Sequence, residues 1–386
     1  MKNSIIFPLL FIALSISINS CAQQKKAPEV PVAKNVIYMI GDGMALPQVF
    51  ATMLATGDDL AFCKFPYTGI VDTRSKSNTI TDSAAGGTAL ACDKKTKNGM
   101  VGMDADSVPM ATILDVLAEQ GKSTGIVVTC YSGHATPADF YAKVPKRSMY
   151  EDIAMQLAES DKVNVMIGGG RKHFIHRSDS INLIERMENE LGWKVYDNLE
   201  NIDTTCMKYA VLASDNHMPI YPKRGDFLPE GVKIALKTLE KDEDGFFLMV
   251  EGSQIDFACH SHDSANMVEE TVDFSNAIQV ALDYAKTHGN TLVVVTADHE
   301  TGGLTMIDPK GKYTNVAFNY STGSHTCLPV IVYAYGPGAE QFTGWMQNNE
   351  LKAKILKACG MECDTIESSS NQKIAPVMGN FDSKRD

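Results

Sequence analysis

The sequence predicts an α/β protein with a doubly wound, mostly parallel central sheet and helices on both faces. Two observations predict it. Six short runs rich in β-branched and apolar residues end in turn or polar residues, as buried parallel strands do: 35–40, 124–129, 163–167, 246–250, 292–296 and 330–334. Helical patterns alternate with them: 110–120 stopped by Gly121, an amphipathic stretch at 150–159, and a long helix at 266–288 stopped by Gly289. The segment 179–231, with Pro219, Pro222 and Pro229, is less periodic and reads as loops and small elements inserted into the sheet domain. No second hydrophobic core is evident.

The chain divides into an export segment at 1–21, a polar tether at 22–33, one catalytic-size domain at 34–363 and a polar tail at 364–386. Met1-Lys2-Asn3 precedes an apolar run from Ile5 to Ile18, too short for a membrane span. Cys21, after a small residue and before Ala-Gln-Gln-Lys-Lys, resembles a bacterial lipoprotein cleavage site, with Ile18 where leucine is usual. The expectation is export to the periplasm or outer surface with a lipid on Cys21; a soluble secreted protein cut nearby is the alternative. Removing Cys21 from the nine cysteines leaves an even number, and Cys359 and Cys363 are close enough in sequence to suspect of pairing. Cys259, beside His260, reads as a buried thiol. The net charge of −12, without an extended Lys/Arg run, argues against a nucleic-acid surface and for small soluble ligands.

Chemistry concentrates where strands end, the ligand-binding edge of such sheets. Thr81-Asp82-Ser83-Ala84-Ala85-Gly86-Gly87-Thr88 sets a serine among small residues, giving an anionic group access to its hydroxyl. Alone, Thr-Asp-Ser reads as a helix cap. The first strand runs into Gly41-Asp42-Gly43, and another into Ala297-Asp298-His299. The strand 246–250 is followed by Glu251, Asp256 and His260, the last two spaced by four and so on one helical face. His325 completes an Asp/His/His set suited to catalytic zinc. Two Asp/His clusters suit a two-metal centre. Thr136 and Glu251 offer oxygen ligands for magnesium, and Arg147 a fork for phosphate oxygens. Gly168-Gly169-Gly170-Arg171 lacks a phosphate-loop ending and reads as a tight turn.

In this order the motifs resemble the alkaline phosphatase family: Gly-Asp-Gly, Thr-Asp-Ser-Ala-Ala, His-Ala-Thr-Pro, Gly-Gly-Gly-Arg, Glu-Gly-Ser-Gln-Ile-Asp, Thr-Ala-Asp-His-Glu-Thr-Gly-Gly, Gly-Ser-His and Tyr335-Gly336-Pro337-Gly338. The resemblance covers roughly residues 35–360. It implies an alkaline-phosphatase-like fold and hydrolysis of phosphate monoesters through a phosphoserine, releasing inorganic phosphate, with two zinc ions and one magnesium. It implies Asp256, His260 and His325 at one zinc, and Asp42, Asp298, His299 and the nucleophile Ser83 at the other. Asp42, Thr136 and Glu251 are then the magnesium ligands. Arg147 grips phosphate and Asp82 orients it. His134, at a position where members carry Asp or His, acts beside the third metal, and Phe257, beside Asp256, cannot hydrogen-bond phosphate. The short interval from His299 to His325 implies a reduced crown subdomain and a monomer or homodimer. A metal-dependent phosphodiesterase of the same fold and a non-catalytic phosphate-binding lipoprotein are the alternatives; a sulfatase fits less well, because Ser83 precedes Ala-Ala-Gly-Gly.

Overall fold

A computed structural model describes residues 31–312 and 315–362. The export segment, Cys21, most of the tether, Cys363 and the tail lie outside the described residues. No described helix is long and apolar enough to cross a membrane.

Among the described residues, fourteen strands alternate with helices in the order β1 Asn35–Gly41, β2 Tyr67–Asp72, β3 Ser123–Tyr131, β4 Val165–Gly169, β5 Lys194–Tyr196, β6 Tyr209–Leu212, β7 Phe246–Gly252, β8 Thr291–Thr296, β9 Glu300–Thr301, β10 Leu304–Ile307, β11 Ala317–Tyr320, β12 His325–Thr326, β13 Val330–Tyr335 and β14 Gly344–Gln347. Ten of them form one sheet in the order β14-β2-β13-β8-β1-β7-β3-β4-β6-β5, with helices on both faces. Every residue of β1, β7 and β8 is buried, which is why these strands read as continuous apolar runs with no alternation.

Two sequence expectations are corrected here. The run 330–334 reads as a parallel strand, yet β13 is antiparallel to both β8 and β2. The link from β8 to β13 passes through the short strands β9 to β12, with no helix among its described residues, so it lacks the helical crossover that usually carries a chain to a parallel neighbour. The segment 179–231 is also more regular than expected. It supplies β5 and β6, which extend the main sheet at one edge, and the helix Leu183–Asn189. Strands of three and four residues are too short to give a periodic signal, but Tyr209–Leu212 is fully buried and pairs in parallel with β4.

Helix limits follow their caps. The helix expected at 110–120 occupies Ile113–Glu119, because the Thr112 side chain accepts from the Asp115 amide while the Asp115 carboxylate accepts from the Thr112 amide. The long helix runs Ser264–Thr287, started by Asp263 capping Asn266. The interval between His299 and His325 holds the small hairpin β10–β11 and the paired β9 and β12.

Candidate active site

Strand register assembles the centre. Ile40 of β1 pairs with Glu251 of β7 on one side and with Thr296 of β8 on the other. Asp42, Glu251, Asp298 and His299 therefore leave the carboxyl ends of three adjacent strands at one level. The helix Gln254–His260 follows β7 at once and presents Asp256 and His260 together, with His260 Nε2 3.3 Å from Asp256 Oδ2. The pairing of His325 with Thr301 brings β12 over the same edge. Gly43, at φ +70°, is forced by this crowding: a Cβ there would meet Thr301 Oγ1 at 2.7 Å and Asp256 Cα at 2.9 Å.

Ser83 is the first residue of the helix Ser83–Ala91, and Asp82 caps it by accepting from the Ala85 amide at 3.0 Å. The capping reading and the nucleophile reading of this motif thus both describe real geometry. The small residues have a packing role beyond giving access to the hydroxyl: a Cβ on Gly86 would come within 2.9 Å of the Asp298 carbonyl. That close approach holds Ser83 Oγ 3.2 Å from His299 Nε2.

Around Ser83 the residues form overlapping clusters. His299 Nε2 lies 3.2 Å from Asp298 Oδ2 and 3.6 Å from Asp42 Oδ1. His325 Nε2 lies 3.1 Å from His260 Nε2 and 3.6 Å from Asp256 Oδ1. The His299 and His325 rings stack with centroids 3.6 Å apart, joining the two clusters. Neighbouring groups aim the imidazoles: Nδ1 of His325 meets the Thr81 carbonyl at 2.9 Å and Nδ1 of His260 the Gly323 carbonyl at 2.8 Å. Both rings are thereby left with Nε2 facing inward.

A third group gathers beneath. Cys130, His134 and Glu251 have ligand atoms within 4.8 Å of one another. Glu251 Oε2 accepts from Ser253 Oγ at 2.7 Å and Cys130 Sγ at 3.2 Å, while Oε1 is buried without a partner. Both oxygens of Asp42, Oδ2 of Asp298, Oγ1 of Thr136 and Nδ1 of His134 are likewise buried without hydrogen-bond partners. Such orphaned acceptors are costly in a protein interior unless a cation meets them, and the donor set fits divalent ions.

The charges agree. Burial, then the neighbouring Asp298, Asp256 and Glu251, push Asp42 far above the usual carboxylate range. Burial raises Glu251 to about 7, and burial followed by Asp256 raises Asp298 to about 8. Burial also pushes up on Asp256, but the His260 hydrogen bond and the charges of His299, His260 and His325 outweigh it and hold this carboxyl low. His260 is raised to about 9 by its bond to Asp256, whereas His299 is held far down by burial and His325. Mutually repelling carboxylates packed this tightly are what a bound cation would relieve.

Arg147 closes the site from outside, with Nη1 3.2 Å from Asp82 Oδ2 and Nη2 3.3 Å from His134 Nε2. Phe257 is partly buried, its ring edge-to-face with His134 at 5.8 Å.

A family model described as alkaline phosphatase matches residues 33–319. The chain belongs to the alkaline phosphatase family. It is 31% identical to alkaline phosphatase 3 of Bacillus subtilis, covering 87% of this chain and 91% of that one, and 28% identical to the alkaline phosphatase of Escherichia coli over 86% and 87%. Among solved structures it is similar to the alkaline phosphatase of the Antarctic bacterium TAB5, at 37% identity and TM-score 0.83, covering 87% of this chain and all of that one. Members of the family are phosphomonoester hydrolases, and the chain is an enzyme of that class.

In this alkaline phosphatase family member Asp42, Asp82, Ser83, His134, Thr136, Arg147, Glu251, Asp256, Phe257, His260, Asp298, His299 and His325 lie together at the strand ends. Cys259 does not join them: it is a buried thiol 3.9 Å from Gln48 Nε2. Sequence reasoning missed Thr301, whose hydroxyl lies 2.5 Å from Asp256 Oδ1 and 3.2 Å from His299 Nδ1. It also missed Cys130 and Ser253 on Glu251. Thr301 lies within the Thr-Ala-Asp-His-Glu-Thr-Gly-Gly motif and Ser253 within Glu-Gly-Ser-Gln-Ile-Asp, so both were findable; Cys130 carries no spacing signal.

Proposed function

We propose that this enzyme hydrolyses phosphate monoesters through a phosphoserine at Ser83, with two zinc ions and one magnesium as cofactors, releasing inorganic phosphate. The reading is carried by the gathering of orphaned buried acceptors from Asp42, Asp298, Glu251 and Thr136 beneath a serine hydroxyl that faces His299. Asp256, His260 and His325 would hold one zinc; Asp42, Asp298 and His299, with Ser83 Oγ, the other; Asp42, Thr136 and Glu251 the magnesium. The ions would supply positive charge that favours the serine alkoxide and stabilises the departing oxygen.

The protein's own groups do the rest. The helix beginning at Ser83 directs free amides and the positive end of its dipole at the incoming phosphoryl group. Arg147, held by Asp82, spans two non-bridging oxygens and balances their charge. Ser83 attacks phosphorus, the alcohol departs with a proton from solvent, and water then cleaves the phosphoserine to regenerate the hydroxyl.

Two variants of the TAB5 enzyme, in which a histidine is replaced by aspartate or glutamate, are described with magnesium bound in the M3 site. We take His134 as the corresponding histidine here, which makes it the residue that tunes the third ion. Export with a lipid on Cys21 completes the reading; labelled palmitate incorporated by the native chain but not by Cys21→Ala tests it.

The main test is turnover of a chromogenic monoester by metallated protein, with and without chelator, beside Ser83→Ala. Turnover should need metal and fall by a factor on the order of 1000 or more in the variant. A diester hydrolysed with a higher kcat/KM than the monoester would point to phosphodiester chemistry instead.

A further inference from the structure

A band of aromatic side chains leads out of the cavity from Arg147, and the mechanism above does not use it. His134, 3.3 Å from the Arg147 guanidinium, meets the Phe257 ring, and Phe257 meets His217 at 4.9 Å. His217 lies flat on Tyr131, with centroids 3.6 Å apart and planes 11° off parallel. Tyr131 in turn meets Tyr150 at 5.7 Å. Lys172 ends the band, with Nζ 2.8 Å from Tyr131 Oη and 2.8 Å from Asn216 Oδ1, and 4.7 Å from the Tyr131 ring centre.

Two properties set this band apart from core packing. Phe257, His217, Tyr131, Tyr150 and Lys172 are each only partly buried, so the ring faces are open to a ligand, and phenylalanine in particular is usually found fully inside. The rings are also held in place. The Tyr131 amide donates to His217 Nδ1 at 3.2 Å, so the ring proton sits on Nε2 at the far side. Burial, then the charges of Lys172 and His173, lower His217 to about 4, which favours the neutral ring.

We propose that this band, beginning at Phe257 and His217, binds a flat heteroaromatic group on the leaving alcohol and makes nucleoside monophosphates preferred substrates. The inference rests on the phosphatase reading above and deepens it. Arg147 fixes the phosphoryl end, and the first partly exposed rings stand one residue contact beyond it through His134, where the base of a bound nucleotide would lie. Stacking on a rigid aromatic platform tolerates any base and is worth about 1–3 kcal/mol per base, enough for roughly tenfold or more in kcat/KM. Phe257, which offers phosphate no hydrogen bond, has a role in this arrangement as a stacking face.

The test compares two esters of the same type of primary alcohol, a ribose 5-hydroxyl: adenosine 5′-monophosphate and methyl riboside 5-phosphate, which lacks the base, on enzyme loaded with zinc and magnesium. Leaving-group chemistry cancels in the ratio of their kcat/KM values. The wild-type ratio should be about ten or more, expressed mainly in KM, and should fall toward one in His217→Ala/Phe257→Ala. His217→Phe, which keeps a flat ring, should retain most of the preference. A wild-type ratio near one, or a ratio that survives the double substitution, overturns the proposal. Failure of the loaded wild type to cleave either ester would instead overturn the phosphatase reading beneath it.

Discussion

Arg147 reaches Asp82, the residue directly before Ser83, with Nη1 3.2 Å from Oδ2. Asp82 also accepts from the Ala85 and Gly99 amides, so one carboxylate fixes the start of the nucleophile's helix and the placement of the phosphate clamp. Asp82→Asn keeps the cap and should leave stability nearly intact, whereas Asp82→Ala should lose about 1 kcal/mol. Both should raise the inhibition constant of inorganic phosphate by freeing Arg147. Thermal melts and phosphate inhibition measured on both variants separate the two roles.

Phe257 and Arg147 should differ in how they treat phosphate itself. Removing the charged fork with Arg147→Ala removes charge-assisted bonds worth about 1.5–3 kcal/mol, a loss in phosphate affinity of roughly tenfold to a hundredfold. Phe257→Ala should change phosphate affinity little. Equal losses in inhibition assays would show that Phe257 contributes to holding the anion.

Metal-free protein should lose stability as pH rises from about 6.5 to 9. In that window folded Glu251, Asp298 and His260, raised to about 7, 8 and 9, still hold protons that the unfolded chain has released, so folding favours the lower pH. His134 and His299 are shifted down and act in the opposite sense, but only below the ordinary histidine value of 6.5. Melting temperatures of chelated protein should therefore fall across this window, and metal-loaded protein should not follow.

His134→Asp should tighten magnesium at the third site. Magnesium favours oxygen ligands, and the native site offers it an imidazole nitrogen and a nearby thiol beside Glu251 and Thr136. Equilibrium dialysis of the two forms with magnesium measures the change directly, apart from any effect on turnover.

Much of this molecule is legible because its key elements announce themselves locally. β1, β7 and β8 are unbroken apolar runs ending in Asp42, Glu251 and Asp298, and their burial on both faces leaves no other reading. The i, i+4 spacing of Asp256 and His260 survives as a 3.3 Å contact. What stayed hidden depends on pairing between distant segments. The direction of β13 shows only in its pairing with β8 and β2, and β5 and β6 are too short to carry a period of their own. Cys130 reaches Glu251 only because β3 lies beside β7. The wall of Tyr131, His217 and Phe257 joins three segments that share no motif.

Because Asp42, Glu251 and Asp298 close three neighbouring strands in fixed register, the separations among these three carboxylates are set by the backbone ladder and not by loop conformation. The centre is therefore as rigid as the middle of the sheet. Its chemistry can drift through substitutions at the rim, at His134 or Phe257, while the spacing of these three carboxylates stays the same.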